Sequence, residues 1–154
     1  MKSNYTIDKL DKQIISILIK DATVPYADIA KRLVVSPGTI HVRMKKMEEA
    51  GIIKGSHLQI NAAKFGYSIC AFMGIHLQKG WEYEDAVAKL KLINEVVEAH
   101  YTTGKYGIFA KIICKDTDHL RAILTDRINA IKGVERTETF ISLEESVKKQ
   151  LKID

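Results

Sequence analysis

Residues Ser36–Ile53 read SPGTIHVRMKKMEEAGII, and what they form decides how the rest of the chain is understood. Serine is a strong helix N-cap, and proline suits the first helical position because its φ is already set and the N–H it lacks would have no partner there. Ile40, Met44 and Met47 recur at helical spacing and form an apolar stripe. Gly51 follows, and glycine readily takes the left-handed conformation that ends a helix. The pattern predicts a helix from about Pro37 to Ala50. Its outward side carries Gly38, Thr39, Val42, Arg43 and Lys46, flanked by His41 and Lys45.

Two more short helices precede it. In IDKLDKQIISILIKD, Leu10, Ile14, Ile17 and Leu18 fall at i, i+4, i+7 and i+8. Asp8 and Asp11 lie at its start, where the helix dipole favours negative charge. Pro25 breaks that pattern and opens YADIAKRL, with Tyr26, Ile29, Ala30 and Leu33 inward. Only about three residues then separate the second helix from the third, the spacing of a helix-turn-helix. IIKGSHLQI, after Gly51, reads as a strand or small wing.

Charge follows the same division. The chain has 154 residues and a net charge of +5. Residues 1–60 hold ten Lys/Arg against six Asp/Glu, and residues 61–154 hold fourteen against thirteen. Most of the excess lies between Lys31 and Lys54, and a localised positive patch is the electrostatic footprint of a polyanion binder. A hydroxyl near the helix start can meet phosphate or base edges, an arginine can bridge O6 and N7 of guanine, and lysines one turn on suit phosphate. Double-stranded DNA is therefore the expected partner, and Ser36, Gly38, Thr39, His41, Val42, Arg43, Lys45 and Lys46 are the expected contacts.

After NAAKFGY, a candidate hinge, the order of elements changes. A near-continuous apolar strand (SICAFMGIHLQ) leads to a helix (YEDAVAKLKLI), then to two strands (VVEAHYTT and YGIFAKIIC) around the turn TGKYG. A second helix (TDHLRAILTDRINAI, with Asp118 as its cap) and a last strand (VERTETFISLEES) complete β-α-β-β-α-β, the ferredoxin-like plan. VKKQLKID is a charged tail with partial helical character. The expected fold class is α+β: a helix-turn-helix domain with a strand hinge over residues 1–60, and a ferredoxin-like domain over 61–154.

SPGTIHVRMKKMEEAGIIKG, followed by YTTGKYGIFAKI and TETFISL, resembles the Lrp/AsnC (feast/famine) family of transcriptional regulators over nearly the whole chain. The resemblance implies a C-terminal domain that dimerises, dimers that assemble into octameric rings, and an amino-acid effector held between dimers. It is nearest to the asparagine-responsive members, which implies control of asparagine synthesis and of the chain's own gene. Gly107 stands about where many members carry aspartate, which points away from a leucine-type response. On that basis the effector site comprises Thr102, Thr103, Gly104, Tyr106 and Gly107 of the turn, whose backbone N–H groups suit a carboxylate. Thr137, Glu138 and Thr139 of the last strand complete it. Thr137 and Thr139 point to one face of that strand, and Glu138 to the other.

Other classes are excluded or disfavoured. Apolar residues at 46% and charged residues at 28% exclude a disordered chain. No apolar run reaches the ~18 residues of a membrane span, and the N-terminus lacks a secretory signal, so a cytoplasmic protein is expected. Cys70 and Cys114 lie in apolar runs without C-x-x-C spacing and read as buried, reduced thiols. The histidines at 41, 57, 76, 100 and 119 show neither H-E-x-x-H nor i,i+4 pairing, which disfavours a metal site. No G-x-S-x-G, Walker loop or G-x-G-x-x-G is present, so neither catalysis nor a cofactor is expected. Glu82 opens the helix at EYED, and Trp81 packs on that helix or in a subunit contact. Two alternatives compete: an architectural DNA-binding protein with little ligand response, and an enzyme like the sirohaem decarboxylases, which resemble the family across both modules. The intact cationic helix disfavours the enzyme.

Overall fold

The computed structural model describes residues 5–78 and 83–153, so the expectations for Trp81 and Glu82 lie outside the described residues. The chain forms two compact units. The first comprises Met1–Gln59 together with Val147–Asp154, and the second is Ile60–Ser146.

Three helices make the first unit: α1 (Lys9–Leu18), α2 (Tyr26–Leu33) and α3 (Pro37–Glu49). Asp8 caps α1 in a reciprocal box, its side chain accepting from the Asp11 N–H while the Asp11 carboxylate accepts from the Asp8 N–H. Ile14, Ile29, Ala30, Ile40, Met44 and Met47 form the core, and Leu10, Ile17, Leu18, Tyr26 and Leu33 pack against it. These are the apolar stripes that the sequence periodicity marks. The α2–α3 turn holds the one non-glycine residue of positive φ among the described residues, Val34 at φ 55°. A β-branched side chain in that region is strained, and at 90% exposure it regains nothing by burial.

The segment expected as a strand or wing forms no ladder: residues 52–60 pair with no strand in the unit. Instead the Ile52 and Ile53 N–H groups both donate to the Met47 carbonyl, closing the end of α3. The tail differs too. It is not helical, and it returns to the first unit, where the Ser16 hydroxyl donates to the Ile153 carbonyl at 3.1 Å. The expected boundary of 61–154 therefore gives up its last eight residues. Short-range patterning carries no sign of such a return.

The second unit is built on β1 (Ile69–Leu77), α4 (Tyr83–Leu90), β2 (Val96–Tyr101), β3 (Ile108–Cys114), α5 (Thr117–Ala122) and β4 (Val134–Ile141). The sheet is antiparallel, in the order β2-β3-β1-β4, which is the ferredoxin-like arrangement. Asp116 rather than Asp118 caps α5, accepting from the His119 N–H at 2.7 Å. α5 continues as a π-helical turn, Ile123–Ile128.

Register divides the sheet by face, because directly paired residues point the same way. Ala71, Met73 and Ile75 of β1, with Ile108, Ile112 and Cys114 of β3, face the helices and join Ala86, Leu90, Ile93, Leu120, Ile123 and Ile128 in the core. Cys70, Phe72, Gly74 and His76 alternate with them onto the helix-free face. Burial raises the pKa of both cysteine thiols. Among the described residues, no helix is long and apolar enough to cross a membrane.

Relieving the strained turn is expected to stabilise the first unit. Val34→Gly should gain about 1 kcal/mol and raise its melting temperature by several degrees, measured by thermal denaturation.

Candidate nucleic-acid interface and effector site

Ser36 starts α3 by accepting from the Thr39 N–H at 3.1 Å, and its hydroxyl lies 2.9 Å from the Thr39 hydroxyl. Ile40, Met44 and Met47 seat the helix. Gly38, His41, Val42, Lys45 and Lys46 are exposed on its outward side. The His41 ring stands edge-on to Tyr26, with centroids 4.7 Å apart. Lys45 lies 3.9 Å from Glu49 in a solvent-screened i,i+4 pair.

Arg43 departs from this arrangement. Expected among the DNA contacts, its guanidinium instead turns to the start of α1. There Nη1 donates to Asp8 and, at 3.1 Å, to Asp11 Oδ1. Asp11 is completely buried, while the Arg43 side chain keeps 29% of its exposure. The second Asp11 oxygen accepts from the Tyr5 hydroxyl at 2.9 Å and from the Asp8 N–H at 3.1 Å. The Arg43 hydrogen bond holds the Asp8 carboxyl below its ordinary pKa. A buried carboxylate needs this cation, because its desolvation is otherwise unmatched. Arg43 is therefore committed to joining α1 and α3. One sequence signal was available: Asp11 lies one turn before Ile14 on the buried stripe, and a charge there calls for a partner.

In the second unit, β1–β4 register places Glu138 opposite Gly74, on the helix-free face. Thr137 and Thr139 pair with Ile75 and Met73 and so belong to the helix face, where the Thr137 hydroxyl donates to Asn129 Oδ1 at 3.3 Å. The pleat thus separates residues grouped as one site. The turn Thr102–Gly107 folds back over the open face, with Tyr106 lying across Gly74. A Cβ built at position 74 would stand 2.4 Å from that ring, so only glycine leaves it room.

Tyr106 Oη then donates to Glu138 Oε2 at 2.9 Å, Lys105 Nζ reaches Glu138 Oε1 at 2.7 Å, and His76 Nε2 lies 3.3 Å from the same oxygen. Hydrogen bonds from Lys105 and then Tyr106 pull the Glu138 pKa down to about 2. Within the turn, the Thr102 hydroxyl donates to the Tyr106 carbonyl and the Gly107 N–H to the Ile75 carbonyl, which leaves Thr103 and Gly104 exposed at the tip. A Cβ at Gly107 would press on Leu77 at 3.2 Å, so an aspartate there would require that side chain to give way. Register alone brings Lys105, His76 and Gly74 to this cluster, and nothing in their local sequence marks them for it.

Two measurements follow. Arg43→Met, which strands the buried Asp11 charge, should cost about 3 kcal/mol in urea denaturation; if stability is unchanged, the tie between α1 and α3 is not needed. The Glu138 carboxyl should titrate near pH 2 by carbon-13 NMR. Because its folded pKa is depressed, its stabilisation is complete above the ordinary glutamate range, about 4, and disappears as pH falls towards 2. Gly74→Ala, by displacing Tyr106, should move the titration back up.

Comparison with known proteins identifies both units by family. Residues 7–54 match the winged helix-turn-helix DNA-binding model, and residues 70–151 match the Lrp/AsnC ligand binding domain. The chain is 45% identical over 148 residues to the regulatory protein AsnC of Haemophilus influenzae, covering 96% of this chain and 99% of that one. The solved structure of Escherichia coli AsnC superposes with a TM-score of 0.90 at 42% identity, covering 96% and 99% of the two chains. A Neisseria meningitidis transcriptional regulator, solved with L-methionine, shares the fold at a TM-score of 0.87 and 21% identity, with 94% of each chain covered. The chain belongs to the Lrp/AsnC family and is an amino-acid-responsive transcriptional regulator that binds DNA through its N-terminal helix-turn-helix.

Proposed function

We propose that a dimer of this chain presents two copies of α3 to successive major grooves of a near-palindromic DNA site, and that asparagine adjusts their presentation. The observation that carries this reading is the capped, well-seated α3, whose outward side exposes Lys45 and Lys46 while its apolar stripe is buried. Among the described residues Lys46 has no carboxylate partner, which suits it to phosphate. Gly38, Thr39, His41 and Val42 face the base edges, with Ser36 holding the helix start. Arg43 acts one step back, by fixing the angle of α3.

The effector binds around the turn Thr102–Gly107, with Glu138 as anchor for its ammonium group. Glu138 is ionised and already bonded to Lys105 and Tyr106, so a zwitterion can exchange like for like with this cluster. Thr137 and Thr139, on the other side of β4, support the strand or meet the ligand from a neighbouring copy. Phe72 and Phe109 stack on the helix-free face at 6.1 Å, and Phe140 is half exposed there, an apolar surface that favours a second protomer. Dimers assemble further into an octamer. An effector changes DNA binding only if it prefers one assembly over another.

The protein acts in the cytoplasm as a regulator and not as an enzyme. Its targets include asparagine synthesis and its own gene. Support for the regulator comes from relatives that match along nearly the whole chain and bear regulatory names.

Gel shift on the DNA upstream of the chain's own gene, with and without asparagine, tests the proposal. A salt-dependent shift altered by asparagine is expected, and Lys46→Ala should lower the salt slope by about 1. Absence of a shift at low salt would overturn DNA recognition at that site, and indifference to asparagine would overturn the effector.

A further inference from the structure

Two residues on the outward side of α3 are not required by the packing of their own unit. Val42 is 55% exposed in the middle of the helix and takes no part in the core of its unit, and its branched side chain lowers helix propensity. Gly38 lies one turn before it, in the first turn of α3. It is absent from the residues of positive φ, so its backbone does not demand glycine. A Cβ built there would meet only the Ser36 hydroxyl, at an ordinary 3.8 Å. The fold thus has room for alanine, which would also restrict the unfolded chain. The helix carries both residues at some cost to itself.

Their neighbours narrow what this face can read. The guanidinium that would span O6 and N7 of guanine is bound to Asp8 and Asp11. The Thr39 hydroxyl sits at 2.9 Å from the Ser36 hydroxyl. What remains towards the helix start, besides the His41 ring set edge-on to Tyr26, is an isopropyl group beside uncovered backbone. On the major-groove edges of the four bases, one apolar group is present: the C5-methyl of thymine.

We propose that α3 reads thymine, with Val42 packing on its C5-methyl and Gly38 allowing the helix backbone to approach that base pair. Lys45 and Lys46 hold the flanking phosphates. This rests on α3 being the helix that enters the groove, so the test separates the two ideas. Bound duplexes are selected from a random pool, and each thymine of the half-site is replaced in turn by deoxyuridine, which removes only the methyl group. Affinities at fixed salt are then compared for the wild type, Val42→Ala, Gly38→Ala and Lys46→Ala.

At one thymine per half-site, deoxyuridine should weaken wild-type binding about fourfold, the worth of one buried methyl group. Val42→Ala should bind the thymine duplex with a similar loss and no longer distinguish the two bases there. Gly38→Ala should melt no lower than wild type yet bind at least several-fold more weakly. Lys46→Ala should weaken all duplexes alike. If no thymine is sensitive, or Val42→Ala discriminates as the wild type does, the thymine reading is wrong, while a Lys46→Ala effect would still place α3 at the DNA. If Lys46→Ala also binds as the wild type does, α3 is not the reading helix, and both ideas fall.

Discussion

The DNA-binding unit depends on one buried charge. Asp11 is sealed inside a three-helix core of about sixty residues, a size at which burial alone leaves little margin. Its carboxylate is satisfied from three directions: the Asp8 backbone, the Tyr5 hydroxyl and the Arg43 guanidinium. The first of these caps α1 and the last belongs to α3. A local capping motif is thereby extended into a tertiary tie, and the reading surface of α3 is oriented by the start of a helix thirty residues earlier in the chain. A charge that must be paired admits few alternative packings, whereas an apolar contact would allow α3 to slide or roll.

The second unit depends on the two-sidedness of its sheet. Alternation along β1 sends Met73 and Ile75 into the core and leaves Gly74 on the opposite face. The missing side chain at Gly74 is what Tyr106 occupies. That placement brings the phenol and Lys105 to Glu138, and the resulting hydrogen bonds, rather than burial, keep the carboxylate ionised. The cluster is preorganised for exchange of charged groups: an incoming ammonium can take the place of Lys105, which is held only at the surface.

Much of this was legible in the chain because the signals are local. Ser36, Pro37 and Gly51 bracket α3, and Ile40, Met44 and Met47 state its buried side by spacing alone. The order of apolar runs and turn glycines yields the ferredoxin-like plan. The family resemblance added the functional class, and comparison over nearly the full length of relatives agrees with it. Where local reading failed, long-range partners decided. Arg43 reads from the chain as a DNA contact alone, and only the fold brings Asp8 and Asp11 to its guanidinium. Residues 52–60 have strand composition but no neighbouring strand within their unit. The tail after Ser146 has too few apolar residues to announce its return to α1. Asp118 and Asp116 are equally plausible caps by composition, and only the backbone path selects Asp116.

The amino-acid sequence by itself determined the helices, the strands, their order and the concentration of positive charge between Lys31 and Lys54. Each of these follows from periodicity, capping and charge within a few turns of chain. Tertiary structure alone decided which cations remain free to meet a ligand, and which side of β4 joins the turn at Thr102–Gly107. Both outcomes turn on contacts between residues some thirty positions apart, Arg43 with Asp11 and Tyr106 with Glu138. A buried carboxylate takes whichever cation the packing brings within reach, and a strand shows one face or the other according to register.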